Sequence, residues 1–103
     1  MTMHVAYLAG LIDGEGCIEL LKGKSDDAAK YRCPRLSIEN TCPRMIAWLA
    51  STFGGHVYER PTLKAPHHRH RYRWHITGSR AVELLGAAMP YLITKRRRAG
   101  LVI

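Results

Sequence analysis

One segment near the start limits the fold more than any other. From Val5 to Ile12 the chain carries no charge, and Asp13 closes the run. The spacing of Tyr7, Leu8, Leu11 and Ile12 predicts a short helix, Val5 to Asp13, with these four on one face. Ala6, Gly10 and Asp13, with Ala9 and Gly14 beside them, make a second stripe that is small rather than polar. Small residues at i and i+4 let two helix backbones approach closely, although a mid-helix glycine costs about 1 kcal/mol relative to alanine. A helix apolar on one side and small on the other touches two neighbours, its own core and something else. Gly14 and Gly16 are expected to end it.

The remaining pattern alternates between strand and helix signals. Residues 17 to 22 and 31 to 39 read as strands joined by the polar turn 23 to 27. Thr41 or Cys42 precedes Pro43, a favoured first helical residue, and Met45, Ile46, Trp48, Leu49 and Phe53 make the apolar face of that helix. Gly54-Gly55 stops it. Strands are expected at about 56 to 60 and 69 to 77, with a loop bounded by Pro61 and Pro66 between them. In the last strand Tyr72, Trp74 and Ile76 point to a core, and Arg71, Arg73 and His75 point away from it. Ser79 is placed to cap a helix carrying Val82, Leu84, Leu85 and Met89, which Pro90 ends or kinks. A short helix follows near Lys95. With 103 residues the chain supports one α+β domain, residues 1 to 103, in the order αββαββα.

Charge points to a partner. The chain holds 16 Lys and Arg against 8 Asp and Glu, a formal +8. Residues 59 to 75 place Arg60, Lys64, Arg69, Arg71 and Arg73 against the single acid Glu59, and Lys95 to Arg98 add an uninterrupted basic run. The other bases and acids cancel. Cations gathered in two short segments suit a polyanion, most simply nucleic acid, because they gain affinity by releasing condensed counterions.

The three cysteines, Cys17, Cys33 and Cys42, form no CxxC pair, and an odd count leaves a thiol over in any disulfide scheme. A reducing intracellular setting is expected: the cytoplasm of a bacterium or phage-infected cell, or an organelle matrix. The run from Val5 is too short to span a bilayer and lacks the flanks of a signal peptide, so neither membrane nor export is expected.

The nonapeptide Leu8-Ala9-Gly10-Leu11-Ile12-Asp13-Gly14-Glu15-Gly16 resembles the signature of the LAGLIDADG homing endonucleases, matching it at seven of nine positions. Leu36-Ser37-Ile38-Glu39-Asn40, and Pro90-Tyr91-Leu92 with Lys95, also fit the family pattern. The resemblance implies a saddle-shaped, four-stranded antiparallel sheet backed by helices, its concave face seated on double-stranded DNA. It implies a homodimer, because motif helices from two copies pack at a two-fold axis, with Ala6, Ala9, Gly10, Asp13 and Gly14 at the interface. The implied activity is magnesium-dependent cleavage of a long near-palindromic site, linked to intron or intein mobility. The alternative is an RNA maturase, or a catalytically inactive DNA- or RNA-binding protein that keeps the fold.

In the family the last acid of the motif binds the divalent ions, which here falls on Glu15, with the main-chain carbonyl of Gly14 as a further ligand. Two such carboxylates at a two-fold axis repel by about 3 kcal/mol at roughly 6 Å and an effective dielectric near 20, which Mg2+, or Ca2+ or Mn2+ in its place, offsets. Asp13 is assigned to structure at the helix end. Lys95 matches a lysine near the scissile phosphate, and Asn40 a polar residue that orients water.

DNA reading falls to the outward sheet face, which by alternation holds Glu19, Leu21, Tyr31, Cys33, Arg35, Ser37, Tyr58, Arg60, Arg71, Arg73 and His75. Lys22, Lys24, Lys30, Arg69 and the run Arg96, Arg97, Arg98 are expected on phosphates. A strand of about nine residues reaches roughly 30 Å, close to one DNA turn of about 34 Å, so each subunit reads about one turn. His67, His68 and His70 in the second hairpin are read as exposed rather than as metal ligands.

Overall fold

The computed structural model describes residues 2–22, 32–60 and 70–103. In chain order these form α1 (Thr2–Glu15), β1 (Gly16–Lys22), β2 (Arg32–Asn40), α2 (Pro43–Phe53), β3 (His56–Arg60), β4 (Arg71–Thr77), α3 (Gly78–Ala88), a single 3-10 turn (Met89–Tyr91) and α4 (Arg96–Val102). The expected α+β order is therefore present. The turn at 23 to 27, the Pro61–Pro66 loop, Lys24, Lys30, Tyr31, His67, His68 and Arg69 lie outside the described residues.

The four strands form one antiparallel sheet in the order β1-β2-β4-β3. Its parity is fixed by burial. Ile18, Leu36, Ile38, Trp74 and Ile76 lie on one face, and that face is covered by Leu8 and Ile12 of α1, Ile46 and Leu49 of α2, Ala81, Leu85 and Ala88 of α3, and Leu92 and Ala99 behind them. Each buried aliphatic side chain of this kind stabilises the fold by roughly 1.5–3 kcal/mol relative to exposure. The other face carries Cys17, Glu19, Leu21, Cys33, Arg35, Glu39, Tyr58, Arg71, Arg73 and His75, and contributes nothing to that core.

Several boundaries differ from expectation, for local reasons. Helix α1 does not stop at Gly14; it runs to Glu15 and passes directly into β1. Ser79 does not cap α3 but lies inside it, with Thr77 at the N-cap. In α1, Tyr7 is not part of the core face: it is 54% exposed and meets the edge of Trp48 at 5.0 Å between ring centres. A helix apolar all round gives no periodic signal to fix its phase, so the sheet decides which side is buried. The α2–β3 turn is made by Gly54 and Gly55, at φ of 79° and 93°, a region costly for residues with a Cβ. That turn presents the Gly54 carbonyl to Trp74, whose ring N–H donates to it at 2.7 Å and so satisfies the buried indole.

Candidate active site and nucleic-acid interface

The absence of a loop after α1 puts Glu15 at a junction, exposed at the last helical position. The passage is tight because a Cβ at Gly16 would lie 2.7 Å from the Ile12 Cα and 2.9 Å from its carbonyl oxygen. Asn40 ends β2 beside it and donates from Nδ2 to both carboxylate oxygens of Glu15, at 2.7 and 2.8 Å. The other end of the Asn40 amide is fixed too: Oδ1 accepts the Cys42 N–H at 2.8 Å, just ahead of α2. Glu15, Glu39, Asn40, Thr41 and Arg71 line one polar cavity of about 220 Å3.

A second set of bonds secures the helix end from the far side of the sequence. The Asp13 carboxylate accepts the N–H of Ile93 at 2.8 Å and of Lys95 at 2.9 Å. Lys95 in turn donates from Nζ to the carbonyls of Ile12 at 2.7 Å and Gly16 at 2.6 Å. An ammonium at a helix C-terminus meets the orphan carbonyls and the negative end of the helix dipole. Burial pushes the Asp13 carboxyl up, but the N–H groups of Ile93, Lys95 and Thr94 and the Lys95 charge outweigh it and hold its pKa below the ordinary value. Asp13 thus takes the structural role expected of it.

The open sheet face is less uniformly cationic than alternation alone implies. Arg35 faces Glu19 across β1 and β2, with Nη2 2.7 Å from the carboxylate. Arg73 faces Glu39 across β2 and β4 at 3.6 Å. The Arg35 hydrogen bond draws the Glu19 pKa below its usual range against the opposing effect of burial. His75 meets the edge of His56 at 5.5 Å, and burial first, then His56 and the charges of Arg35 and Arg73, push its pKa down. The imidazole is therefore neutral near pH 7. Burial and Glu19 push the Cys17 thiol up, which keeps it protonated.

Most of the expected site residues among those described fall into three groups. Glu15, Asn40 and Gly14 come together at the end of α1, with Lys95 behind them as a clamp on the helix end. Leu21, Cys33, Arg35, Tyr58, Arg71, Arg73, His75 and Glu19 share the open face. Lys22 lies on β1 and Arg60 on β3, where the structure describes only their backbone.

Ser37 is a correction: it has the right parity, but neighbouring side chains cover it and leave it 4% exposed. Ala9 is another, because it is fully buried in this chain's own core and unavailable to a second helix. The exposed stripe of α1 is instead Met3, Tyr7, Gly10 and Gly14, with Ala6 half-buried at its edge. In the basic run, Arg96 donates to the carbonyls of Met89 and Pro90 and Arg98 to that of Ile18, while Arg97 is exposed. His70 pairs with Glu59 at 2.8 Å.

Sequence reasoning missed Glu39, which both pairs with Arg73 and lines the Glu15 cavity; its shared parity with Arg35 and Ser37 was the available signal.

The donor set suits a hard divalent cation of the magnesium type. No group of three or more His, Cys, Asp or Glu side chains converges among the described residues. Magnesium does not require one, since it keeps several waters and is held by one or two carboxylates with substrate phosphate oxygens. Two carboxylates, Glu15 and Glu39, line one polar cavity, so the residues present fit such an ion.

No protein-family model matches the chain, and no curated protein matches it either. Solved structures do. The homing endonuclease I-CvuI, in complex with its target in the presence of Ca, superposes with a TM-score of 0.75 at 22% identity, covering 98% of this chain and 64% of that one. The archaeal intron-encoded homing endonuclease I-Vdi141I, complexed with DNA, gives 0.73 at 17% identity, with 97% and 64% covered. The LAGLIDADG meganuclease I-CpaMI, bound to uncleaved DNA, gives 0.63 at 16%, with 90% of this chain and 33% of that one covered. The chain thus spans about two-thirds of the length of the first two and a third of the last. Its fold is that of the LAGLIDADG homing endonucleases. No helix among the described residues is long and apolar enough to cross a membrane.

Proposed function

We propose that this chain is a metal-dependent, site-specific endonuclease of double-stranded DNA that works as a homodimer on a near-palindromic site. The observation that carries the reading is the position of Glu15, an exposed carboxylate at the end of α1, held by Asn40 at 2.7 and 2.8 Å beside a cationic sheet face. The solved structures of the same fold that carry DNA support it.

A second copy is argued from α1 itself. Met3 is 83% and Tyr7 54% exposed, and a Cβ at Gly10 or Gly14 would meet nothing within 4 Å. An apolar helix with an open, side-chain-poor stripe buries that stripe against another copy. A two-fold axis along it brings two Glu15 carboxylates together over one DNA duplex.

In this arrangement Glu15, with Glu39 and the Gly14 carbonyl, would hold a divalent ion of the magnesium type. When bound, that ion polarises a phosphodiester and lowers the pKa of coordinated water. Asn40 orients the Glu15 carboxylate. Asp13 and Lys95 fix the helix end that carries it. Arg71, on the same cavity, meets the phosphate charge. The sheet face sets the register on the duplex.

The test is binding and cleavage of DNA selected from a randomised library, with and without Mg2+. Glu15→Gln is expected to bind the selected site and fail to cut it. Undiminished cutting by that variant overturns the assignment, and metal-independent binding without any cleavage favours the maturase or binding-protein alternative.

A further inference from the structure

Two histidines stand side by side on the open sheet face. His56 opens β3 and His75 is its register partner on β4, so both side chains leave the sheet on the same side. Their ring centres are 5.5 Å apart and the ring planes cross at 88°. The backbone beneath them is fixed. Gly55, just before His56, lies so close to β4 that a Cβ there would come within 2.6 Å of the His75 carbonyl oxygen. The indole of Trp74, the residue before His75, donates to the Gly54 carbonyl at 2.7 Å. β3 is an edge of the sheet, and the pair sits at the anchored end of that strand.

We propose that His56 and His75 form a two-imidazole site for a borderline divalent transition metal, nickel, copper or zinc, and that the bound ion ties the edge strand β3 to β4. Imidazole nitrogen suits these ions whereas magnesium prefers oxygen, so the pair differs in chemistry from the carboxylates of Glu15 and Glu39. With metal–nitrogen bonds of about 2.0–2.1 Å, two imidazoles on one ion have ring centres about 4.5–5.5 Å apart at bond angles of roughly 90–120°. The observed spacing meets that range without movement of either strand. The χ2 torsion of histidine is broad, so both rings can turn a nitrogen toward one point. Water completes the coordination. His56 is exposed, and His75 borders a cavity of about 320 Å3 with Arg35, Tyr58 and Arg73, which leaves room for it.

The surroundings suit a cation better than two nearby arginines suggest. Histidine ligates a metal only in its neutral form. Burial first, then His56 and the charges of Arg35 and Arg73, push the His75 pKa down, so its imidazole has no proton to lose near pH 7. Each arginine is matched by a carboxylate, Arg35 by Glu19 at 2.7 Å and Arg73 by Glu39 at 3.6 Å, which offsets its repulsion of the ion. Two short side chains already placed by the sheet also give up little freedom on binding.

The test is a calorimetric nickel titration of the full chain at neutral pH. The chain carries His4→Gln, His67→Gln, His68→Gln and His70→Gln, so that only this pair of the six histidines remains. One saturable site is expected at the pair. His56→Gln and His75→Gln should each weaken it by at least the about 10–100-fold that follows loss of a mere supporting partner. Nickel should also raise the thermal midpoint in step with its concentration. His56→Gln, at an exposed position, should erase that rise without lowering the metal-free midpoint. Failure to bind nickel overturns the proposal, and so does binding that survives both substitutions, which belongs to the thiols or to the Glu15 cavity. Binding that only one of the two substitutions abolishes overturns it as well, since a single imidazole ties no strands together. Displacement of the nickel by excess Mg2+ would assign the ion to carboxylates, with the same consequence. No DNA enters either measurement, so each outcome is independent of the endonuclease reading above.

Discussion

Asp13 holds Lys95 by its main chain, accepting the Lys95 N–H at 2.9 Å, and the Lys95 side chain reaches back to the carbonyls on either side of Asp13, Ile12 and Gly16. The two residues are 82 positions apart and close a small ring around the end of α1. A lysine expected beside the scissile phosphate is thereby also a cap on the helix that carries Glu15.

Stability should register that ring. Lys95→Met leaves two carbonyls without their charged donor, and Asp13→Ala leaves two N–H groups without an acceptor. Each is expected to cost about 1–3 kcal/mol in urea unfolding, and the double variant less than the sum because the groups share one network. An unmoved midpoint in Lys95→Met would return that residue to a role on DNA alone.

Under the proposed function, Asn40 would act on catalysis through the Glu15 carboxylate that it holds. Loss of a residue that orients a metal-binding carboxylate typically lowers metal affinity or activity 10–100-fold. Asn40→Ala is expected to cut cleavage by about that factor while the affinity for the uncut site stays within two- to three-fold, roughly the factor of a change under 1 kcal/mol. Equal losses in binding and cleavage would place Asn40 on DNA instead.

Two glycines of the same motif should respond in opposite ways. Gly16→Ala forces a Cβ to 2.7 Å from the Ile12 Cα, a clash with backbone that cannot move aside, and should destabilise by about 1–3 kcal/mol. Gly10→Ala meets nothing within the chain and should raise the helix propensity of α1 by up to about 1 kcal/mol. If that face packs against a second copy, the same methyl weakens the dimer. Sedimentation over a concentration series, read beside thermal unfolding, separates the two effects; a more stable chain with an unchanged dimer would move the interface elsewhere.

The element order and the alternation of β4 were legible because they depend on local spacing, which Trp74 and Ile76 obey without exception. The phase of α1 was not. Tyr7 and Ala9 exchange their expected places because every side of that helix is apolar or small, and only the sheet it meets can choose between them. Parity along β2 was enough to put Glu39 on the open face with Arg35, but not to show its partner, because Arg73 lies on another strand. The Asp13 bonds to Ile93 and Lys95 are made to main-chain N–H groups, which every residue but proline has, so the sequence around 93 to 95 carries no mark of them.

Stability should fall in two steps as pH drops. The His75 pKa is lowered in the folded chain, so the unfolded chain takes up its proton first and stability declines as pH falls through about 6.5. Asp13 and Glu19 are also lowered, so their contribution is complete above about pH 4–4.5 and is lost as pH falls through their folded values. Urea midpoints measured from pH 8 to pH 3 should show both declines. His75→Gln should remove the upper one and Asp13→Asn should shrink the lower one; a midpoint that rises on acidification contradicts the signs.

The ring between Asp13 and Lys95 also orders events in time. Contacts between residues 79 to 83 positions apart cannot form until nearly the whole domain has been synthesised and the intervening sheet has come together. Until then the carbonyls of Ile12 and Gly16 lack their charged donor, and Glu15 has only Asn40, 25 residues on, to hold it. The setting of the Glu15 carboxylate is therefore completed among the last steps of maturation.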